Sequence, residues 1–464
     1  MNNTEHIHFI GICGVAMSAL AIALHKTGYT VTGSDKGFYP PVSTHLKNAG
    51  ITYYPGWHVE KMTKHGNPDL VIVGNVASST NPEFLYVQEN NIAYKSYPEF
   101  VAEFLVKEHS IVCAGNFGKT TTSALVSWIL KENEYMPSYM FGGLATHNFP
   151  SAAITDGTYS VLEGDEYKTA RWDARPKFML YSPTHLLLTS ISWDHADLYP
   201  TEALYMKQFE HLVSLVPKNG LIVACKDGKN VKEYAKQSQS RVVFYGKDGE
   251  NEYSYTNITS TKNGLHFDII HNSSTYSITS PLLGTYMVEN ICGAFAMASE
   301  LGIQPQNITQ SIRTFLGMRR RLEKRCENNI TVFDDIAHSP EKAAATLATL
   351  RSIYTGKIIA IYEPNTGNRN KEAVPQYAHA FAHADSVIIP RLSAVKQGPN
   401  TPEIMDGKAL SDMIETTHPN TKYIEDDNEL VTHLIEHTKK EDVIVFLGSH
   451  GFRGMIEMVC KAIT

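Results

Sequence analysis

The sequence predicts an α/β protein of three domains, and three observations carry that expectation. A short apolar strand runs into a loop and then a helix at three separated places, residues 7–35, 109–133 and 330–353. Each opens a stretch in which further apolar strands alternate with helical patterns. The chain, at 464 residues, is also too long for one hydrophobic core.

The first opening reads "IHFIGICGVAMSALAIALHKTGYTVTGSD". Ile7 to Ile10 form a strand, Gly11 and Gly14 let backbone approach a ligand, and a helix leads to a second strand that ends at Asp35. The helix start offers unpaired N–H groups to phosphate. A dinucleotide fingerprint, G-x-G-x-x-G, is not met, because its positions are Gly11, Cys13 and Ala16. A nicotinamide or flavin is therefore disfavoured, which leaves another phosphate ligand or plain helix packing. Downstream, "PDLVIVGNVASSTNP" places a buried strand that ends at Gly74 and Asn75.

The second opening is "HSIVCAGNFGKTTTSALVSWILKEN". The pattern G-x-x-x-x-G-K-[ST] fails by one residue, since Cys113 stands where its first glycine belongs. The chemistry survives. Backbone N–H groups from Gly115 to Thr121 can surround a phosphate, Lys119 supplies a fixed positive charge, and the Thr120 hydroxyl can ligate Mg²⁺. The competing reading is a glycine turn before an amphipathic helix. Two later strands end in acids and a histidine: "YSVLEGDEYKTA" delivers Glu163, Asp165 and Glu166, and "HLLLTSISWDHADLYP" delivers Asp194 and His195. Such groups at strand ends suit a cation–phosphate site, although singly each is an ordinary loop acid or N-cap.

The third opening, "ITVFDDIAHSPEKAAATLATLRSI", ends a strand at Asp334 and Asp335 and starts a helix with Ser339 as N-cap and Pro340 in the first turn. "KIIAIYEPN", "DSVIIPRL" and "DVIVFLGSHG" read as its sister strands. Before it, residues 241–270 alternate in strand fashion and predict a small β subdomain, and "GMRRRLEKR" sets Arg319, Arg320 and Arg321 at a junction where an arginine can act as a charge clamp.

Formal charge is -7, with acids and bases interspersed, so no basic track suggests nucleic acid or an anionic membrane. The six cysteines include no C-x-x-C pair, so reduced, packing cysteines are expected rather than a disulfide framework or a zinc knuckle. No long apolar run and no signal-peptide pattern is present, so a soluble, cytoplasmic protein is the expectation.

At "GNFGKTTT", "EGDEY", "WDHADLYP", "RRRLE" and "DDIAHSP" the chain resembles the Mur ligase family, over essentially its whole length and in the family's order. The resemblance implies a Rossmann-like UDP-sugar domain at 1–107, a P-loop ATPase-like domain at 108–318 and a Rossmann-like amino-substrate domain at 319–464. It implies an ATP- and Mg²⁺-dependent ligase of peptidoglycan synthesis or recycling, which joins UDP-N-acetylmuramate to an amine through an acyl phosphate. The motifs favour a tripeptide acceptor, L-Ala-γ-D-Glu-meso-diaminopimelate, with L-alanine as the alternative. By the same resemblance, ATP would meet Gly115, Asn116, Phe117, Gly118, Lys119, Thr120, Thr121, Asn290, Arg321 and Asp335. Magnesium would meet Thr120, Glu163 and His195, and chemistry would rest on Lys119, Glu163, His195 and Arg321. Gly11, Gly14, Ser18, Asp35 and Asn75 would cradle the UDP-sugar.

The chain departs from the family at several points. Asn116 and Phe117 replace a Thr-His pair, Tyr286 and Met287 replace a His-Asn pair, and "EPNTGNR" differs from the tripeptide ligase's pattern. Lys207 is the nearest counterpart of a carbamylated lysine used by some relatives. These departures leave open a catalytically quiet UDP-sugar-binding relative, and the first glycine loop leaves open an oxidoreductase.

Overall fold

The computed structural model of the chain describes residues 5–146, 148–193, 198–247, 249–393 and 404–464. Three sheets organise it, and each is dominated by parallel strands.

The first sheet holds β1 (His6–Ile10), β2 (Thr30–Asp35), β3 (Thr52–Pro55), β4 (Leu70–Val73) and β5 (Tyr94–Ser96), all parallel, in the order β3-β2-β1-β4-β5. Ile7, Phe9, Ile10, Val71, Ile72 and Val73 are all buried, as parallel strands covered on both faces require. Helix Val15–Lys26 buries Met17, Leu20, Ala21 and Leu24 at helical spacing. Strand order reverses between β1 and β4, so the loops that start at Gly11 and Gly74 open side by side at the carboxyl edge, where open α/β sheets bind ligands.

The second sheet has ten strands. In chain order they are β6 (His109–Ala114), β7 (Ser138–Met140), β8 (Ala152–Ala153) and β9 (Tyr159–Gly164), then, after a separate hairpin of β10 (Lys168–Ala170) and β11 (Asp173–Pro176), β12 (His185–Leu188), β13 (Leu221–Cys225), β14 (Arg241–Gly246), β15 (Tyr253–Thr261), β16 (Gly264–His271) and β17 (Ser274–Ser280). The order β17-β16-β15-β14-β13-β12-β6-β9-β7-β8 puts β6 inside the sheet, between β12 and β9. Its Ile111, Val112, Cys113 and Ala114 are inaccessible to solvent. The segment expected to form a small β subdomain continues this sheet: β14 pairs in parallel with β13, and β15 to β17 are its outer strands.

The third sheet holds β18 (Glu323–Glu327), β19 (Thr331–Asp335), β20 (Ile358–Glu363), β21 (Ser386–Pro390), β22 (Thr421–Ile424) and β23 (Val443–Gly448), ordered β18-β19-β23-β20-β21-β22. Only its edge strand β18 runs antiparallel. Helix Pro340–Ile353 begins as expected, with the Ser339 hydroxyl accepting from the Lys342 N–H and Pro340 in the first turn.

The chain divides into two compact units, one of residues 1–257, 267–280 and 287–315, the other of 258–266, 281–286 and 316–464. In the first unit one apolar cluster runs from Phe9, Leu20 and Phe100 to Val112, Leu162 and Phe209, so the first two sheets share a core. The β10–β11 hairpin adds an aromatic contact. Trp172 stacks on Phe84 at 5.5 Å, meets Tyr94 edge-on at 5.5 Å, and is joined by the Arg171 guanidinium, 5.4 Å from the Phe84 ring.

The cysteine expectation needs correction. Cys326 on β18 and Cys460 on the C-terminal helix Met455–Ile463 form a disulfide, with Cα atoms 5.8 Å apart. The partners are 134 residues apart in sequence, so no local spacing announces them. Cys13, Cys113, Cys225 and Cys292 are free. Among the described residues no helix is long and apolar enough to cross a membrane.

Candidate functional site

The site begins where β6 ends. Gly115 has φ +133°, and a Cβ there would lie 2.2 Å from the Thr189 hydroxyl and 2.7 Å from the Ser190 carbonyl. Gly118 has φ +79°, and a Cβ there would lie 2.2 Å from Asn290 Oδ1. Both positions therefore need glycine, for backbone conformation and for close approach. Between them the loop is pinned by its own side chain. Asn116 donates to the Tyr205 hydroxyl at 2.7 Å and accepts from the Ser192 N–H, while its backbone N–H donates to the Ser190 carbonyl at 3.0 Å. The Thr189 hydroxyl donates to the Phe117 carbonyl at 2.6 Å. Phe117 itself is 53% exposed.

Helix Lys119–Glu132 follows directly, with Gly118 as its N-cap and Thr121 buried in its first turn. Its N-terminal amides and positive dipole end face the turn. Lys119 Nζ lies 2.9 Å from one Glu166 oxygen and 3.0 Å from the other. Burial opposes its charge, but Glu166, then Glu163 and Asp165, outweigh that and hold the ammonium above its ordinary pKa. The Thr120 hydroxyl donates to Glu163 Oε1 at 2.7 Å, and Glu163 Oε2 accepts from the Gly142 N–H at 2.5 Å. Burial would raise the Asp165 carboxyl, yet its ion pair with Lys177 and the Tyr167 N–H bring it below the usual range. Tyr199 donates to the Glu166 carbonyl at 2.5 Å, which fixes the strand end that carries these acids.

Cys113, Gly115, Gly118, Lys119, Thr120, Glu163 and Asn290 thus gather at one end of β6 and β9. Asn290, expected to meet ATP, packs against Gly118 and donates to the Met287 sulfur. Asp194 and His195 lie outside the described residues, so the acid–imidazole part of the expectation has no structural description. Lys207 is exposed on helix Glu202–Leu215. No motif singles out Lys177 or Tyr205, and Thr189 and Tyr199 lie inside quoted motifs without a role, because their partners are 12 to 89 positions away in the chain.

A second cradle forms at the carboxyl edge of the first sheet. The Gly11 and Ile12 N–H groups donate to the Ser34 carbonyl at 2.8 and 3.1 Å, and the Cys13 N–H donates to the Asp35 carboxylate at 2.8 Å. Asp35 also accepts from the Lys36 N–H at 2.7 Å, so its carboxylate closes the turn. Ser18 is buried and bonds back to the Val15 carbonyl at 3.0 Å. Gly14 and Asn75 are exposed at the mouth.

In the second unit, Asp335 accepts from the Leu322 N–H at 2.6 Å and the Ala337 N–H at 2.8 Å. Burial nevertheless pushes its carboxyl up to about 6, against the pull of those bonds and of Arg321. Arg321 is exposed. Its neighbour Arg320 is occupied structurally, donating to the Ser449, Gly448 and His450 carbonyls at 3.0, 2.5 and 2.9 Å.

The donor set of the first unit fits a hard divalent cation with phosphate: a threonine hydroxyl and a carboxylate stand 2.7 Å apart beside a fixed ammonium, below a turn that a Cβ would fill. Among the described residues no three His, Cys, Asp or Glu side chains converge as a protein-only metal cage.

Three family models match the chain in order: "Mur ligase family, catalytic domain" at 6–109, "Mur ligase middle domain" at 113–298 and "Mur ligase, glutamate ligase domain" at 320–450. The chain is 36% identical over 393 residues to the UDP-N-acetylmuramate–L-alanyl-γ-D-glutamyl-meso-2,6-diaminoheptandioate ligase of Haemophilus influenzae, covering 83% of this chain and 85% of that one. It is 30% identical over 458 residues to the UDP-N-acetylmuramate–L-alanine ligase of Caldicellulosiruptor bescii, covering 98% of each. Among solved structures, the murein peptide ligase of Psychrobacter arcticus superposes with a TM-score of 0.71 at 26% identity, over 99% of this chain and 98% of that one.

Proposed function

The chain belongs to the Mur ligase family, whose members are ATP-dependent amide ligases, and from that premise we propose the reaction it runs. It joins the lactyl carboxylate of UDP-N-acetylmuramate to the amino end of L-Ala-γ-D-Glu-meso-diaminopimelate, converting ATP to ADP and phosphate, in the cytoplasm. Two relatives named for this acceptor reach 36% and 34% identity, against 30% for the L-alanine ligase of Caldicellulosiruptor bescii.

The observation that carries the reading is Lys119 at the first position of its helix, paired with Glu166 beside the Thr120–Glu163 hydrogen bond. A carboxylate and a triphosphate are both anions, so they approach in line only where fixed positive charge offsets their repulsion. The carboxylate oxygen bonds to the γ-phosphorus as the bond to ADP breaks. The amine then attacks the acyl carbon, the C–O bond to phosphate breaks, and the nitrogen gives up a proton as the amide forms. We assign Lys119 and the amides of residues 115–121 to the phosphates, with Asn116 holding the loop. Thr120 and Glu163, with His195, would hold Mg²⁺, which supplies charge neutralisation when bound. To Arg321 and Asp335 we assign the γ-phosphate and the ribose, and to Gly11, Gly14, Ser18, Asp35 and Asn75 the UDP-sugar. The domains assigned to sugar, nucleotide and acceptor are residues 1–107, 108–318 and 319–464.

L-alanine as acceptor is the second reading, favoured by the near-complete span of the alanine ligase match. Phosphate release with ATP, Mg²⁺ and UDP-N-acetylmuramate, tripeptide against L-alanine, separates the two. Faster turnover with L-alanine would replace the first reading, and no release with either would overturn both.

A further inference from the structure

Glu83 is fully buried at the start of helix Pro82–Glu89, yet it carries a carboxylate. Its oxygens collect three hydrogen bonds. The Ser34 hydroxyl of β2 donates to Oε2 at 2.5 Å, while the Tyr54 hydroxyl of β3 and the His58 N–H donate to Oε1 at 2.8 and 2.7 Å. His8 Nε2 of β1 lies 3.7 Å away, and its other ring nitrogen shares a hydrogen bond with the Thr32 hydroxyl. Burying a carboxylate is costly unless such donors surround it, and apolar packing at a helix–sheet contact does not need one. What the charge achieves is convergence, because one side chain from the helix after β4 gathers β2, β3 and the loop beyond β3.

Those are the segments that shape the mouth of the first sheet. The Ser34 carbonyl receives the Gly11 and Ile12 amides, and the next residue, Asp35, receives the Cys13 amide on its carboxylate and the Gly56 amide on its carbonyl. A shift of Ser34 is therefore a shift of the Gly11–Cys13 turn. We propose that Glu83 is a positioning residue for the nucleotide sugar: it touches no ligand, but it sets the turn and the flanking loops in their binding geometry. The inference rests on reading this edge as the UDP-sugar site.

The test is steady-state kinetics of the full chain, with calorimetric titration of UDP-N-acetylmuramate. Glu83→Gln keeps the size and loses the charge. Its KM for UDP-N-acetylmuramate should rise about tenfold or more, the scale of losing one hydrogen bond to a charged group. KM for ATP and kcat at saturating sugar should stay within about twofold. Tyr54→Phe should raise the same KM several-fold, and the double variant should be no worse than Glu83→Gln alone, because both act through one carboxylate. An unchanged sugar KM in folded Glu83→Gln would overturn the proposal. So would a uniform loss of activity accompanied by a lowered melting temperature, which marks a purely structural role. If Glu83→Gln does not fold, Tyr54→Phe decides alone, with a selective rise in sugar KM supporting the proposal and no rise overturning it. Failure of the unaltered chain to bind UDP-N-acetylmuramate would overturn the site reading and the proposal together, whereas binding that is indifferent to both variants overturns only the role of Glu83.

Discussion

Lys119 Nζ lies 2.9 Å from the Glu166 carboxylate, with the lysine 14% and the glutamate 1% exposed. A pair this withdrawn from water contributes through both partners, since removing one leaves the other charged and unsolvated. Lys119→Ala should lose at least about 100-fold in phosphate release, the scale of deleting a charge-stabilising group. It should also melt earlier. Adding Glu166→Gln should restore much of the stability without restoring turnover, because the buried charge goes but the phosphate partner does not return. Thermal unfolding and phosphate release measured on the same three proteins check this, and near-normal ADP release from Lys119→Ala would refute the assignment.

Asn116 fills a role that its loop position does not announce. Asn116→Ala removes the acceptor of the Ser192 N–H and one donor to the Tyr205 hydroxyl, at a cost of about 1–2 kcal/mol for two lost, partly buried hydrogen bonds. The nucleotide KM should rise as the loop loosens. Phe117→Ala, at an exposed position, should leave stability within about 0.5 kcal/mol. Denaturant midpoints for the two variants check the contrast, and equal destabilisation would argue that the loop is held by backbone bonds alone.

The Asp335 carboxyl is held near 6 by burial, against an ordinary value of 3.8. Folding thus favours its protonated form, and that contribution is fully present below about pH 4 and is lost as pH rises through about 6. In Asp335→Asn, a side chain that does not titrate, the melting temperature relative to wild type should climb as pH is raised across this window. ATP binding by wild type should strengthen over the same range if the carboxylate accepts the ribose hydroxyls. A melting difference independent of pH would show that Asp335 is not the titrating group.

The Cys326–Cys460 bond closes a loop over a sequence separation of 134 residues, for which chain entropy implies a stabilisation of up to about 5 kcal/mol. Reductant should lower the unfolding temperature of wild type and leave Cys326→Ser unmoved. Under denaturing, non-reducing conditions a thiol titration should count four cysteines, the number left free in the structure. A count of six would exclude the bond.

What could be read in advance was whatever depends on neighbours in sequence. The Gly-Lys-Thr turn, the acids ending β9 and the Ser339 cap are each a local device, and each appears where the pattern sets it. The joining of β15 to β17 onto the central sheet is a pairing choice, which alternation alone does not specify. That the Asn116 side chain pins its own loop is not visible in the sequence, because its partner Tyr205 is 89 positions away. Glu83 carries no mark of its role in the sequence, because burial against β2 and β3 leaves no trace in a helix start. The cysteine bridge escaped for the same reason of distance.

Trp172, one of only four tryptophans, is 41% exposed and rests on Tyr94 of β5 and on Phe84 of the helix before it, while its own hairpin belongs to the middle of the chain. An indole so placed is an intrinsic optical probe. With Trp57, Trp128 and Trp193 replaced by phenylalanine, its emission would track any tilt of the first sheet in real time, and stopped-flow fluorescence could then order substrate arrival without an added dye.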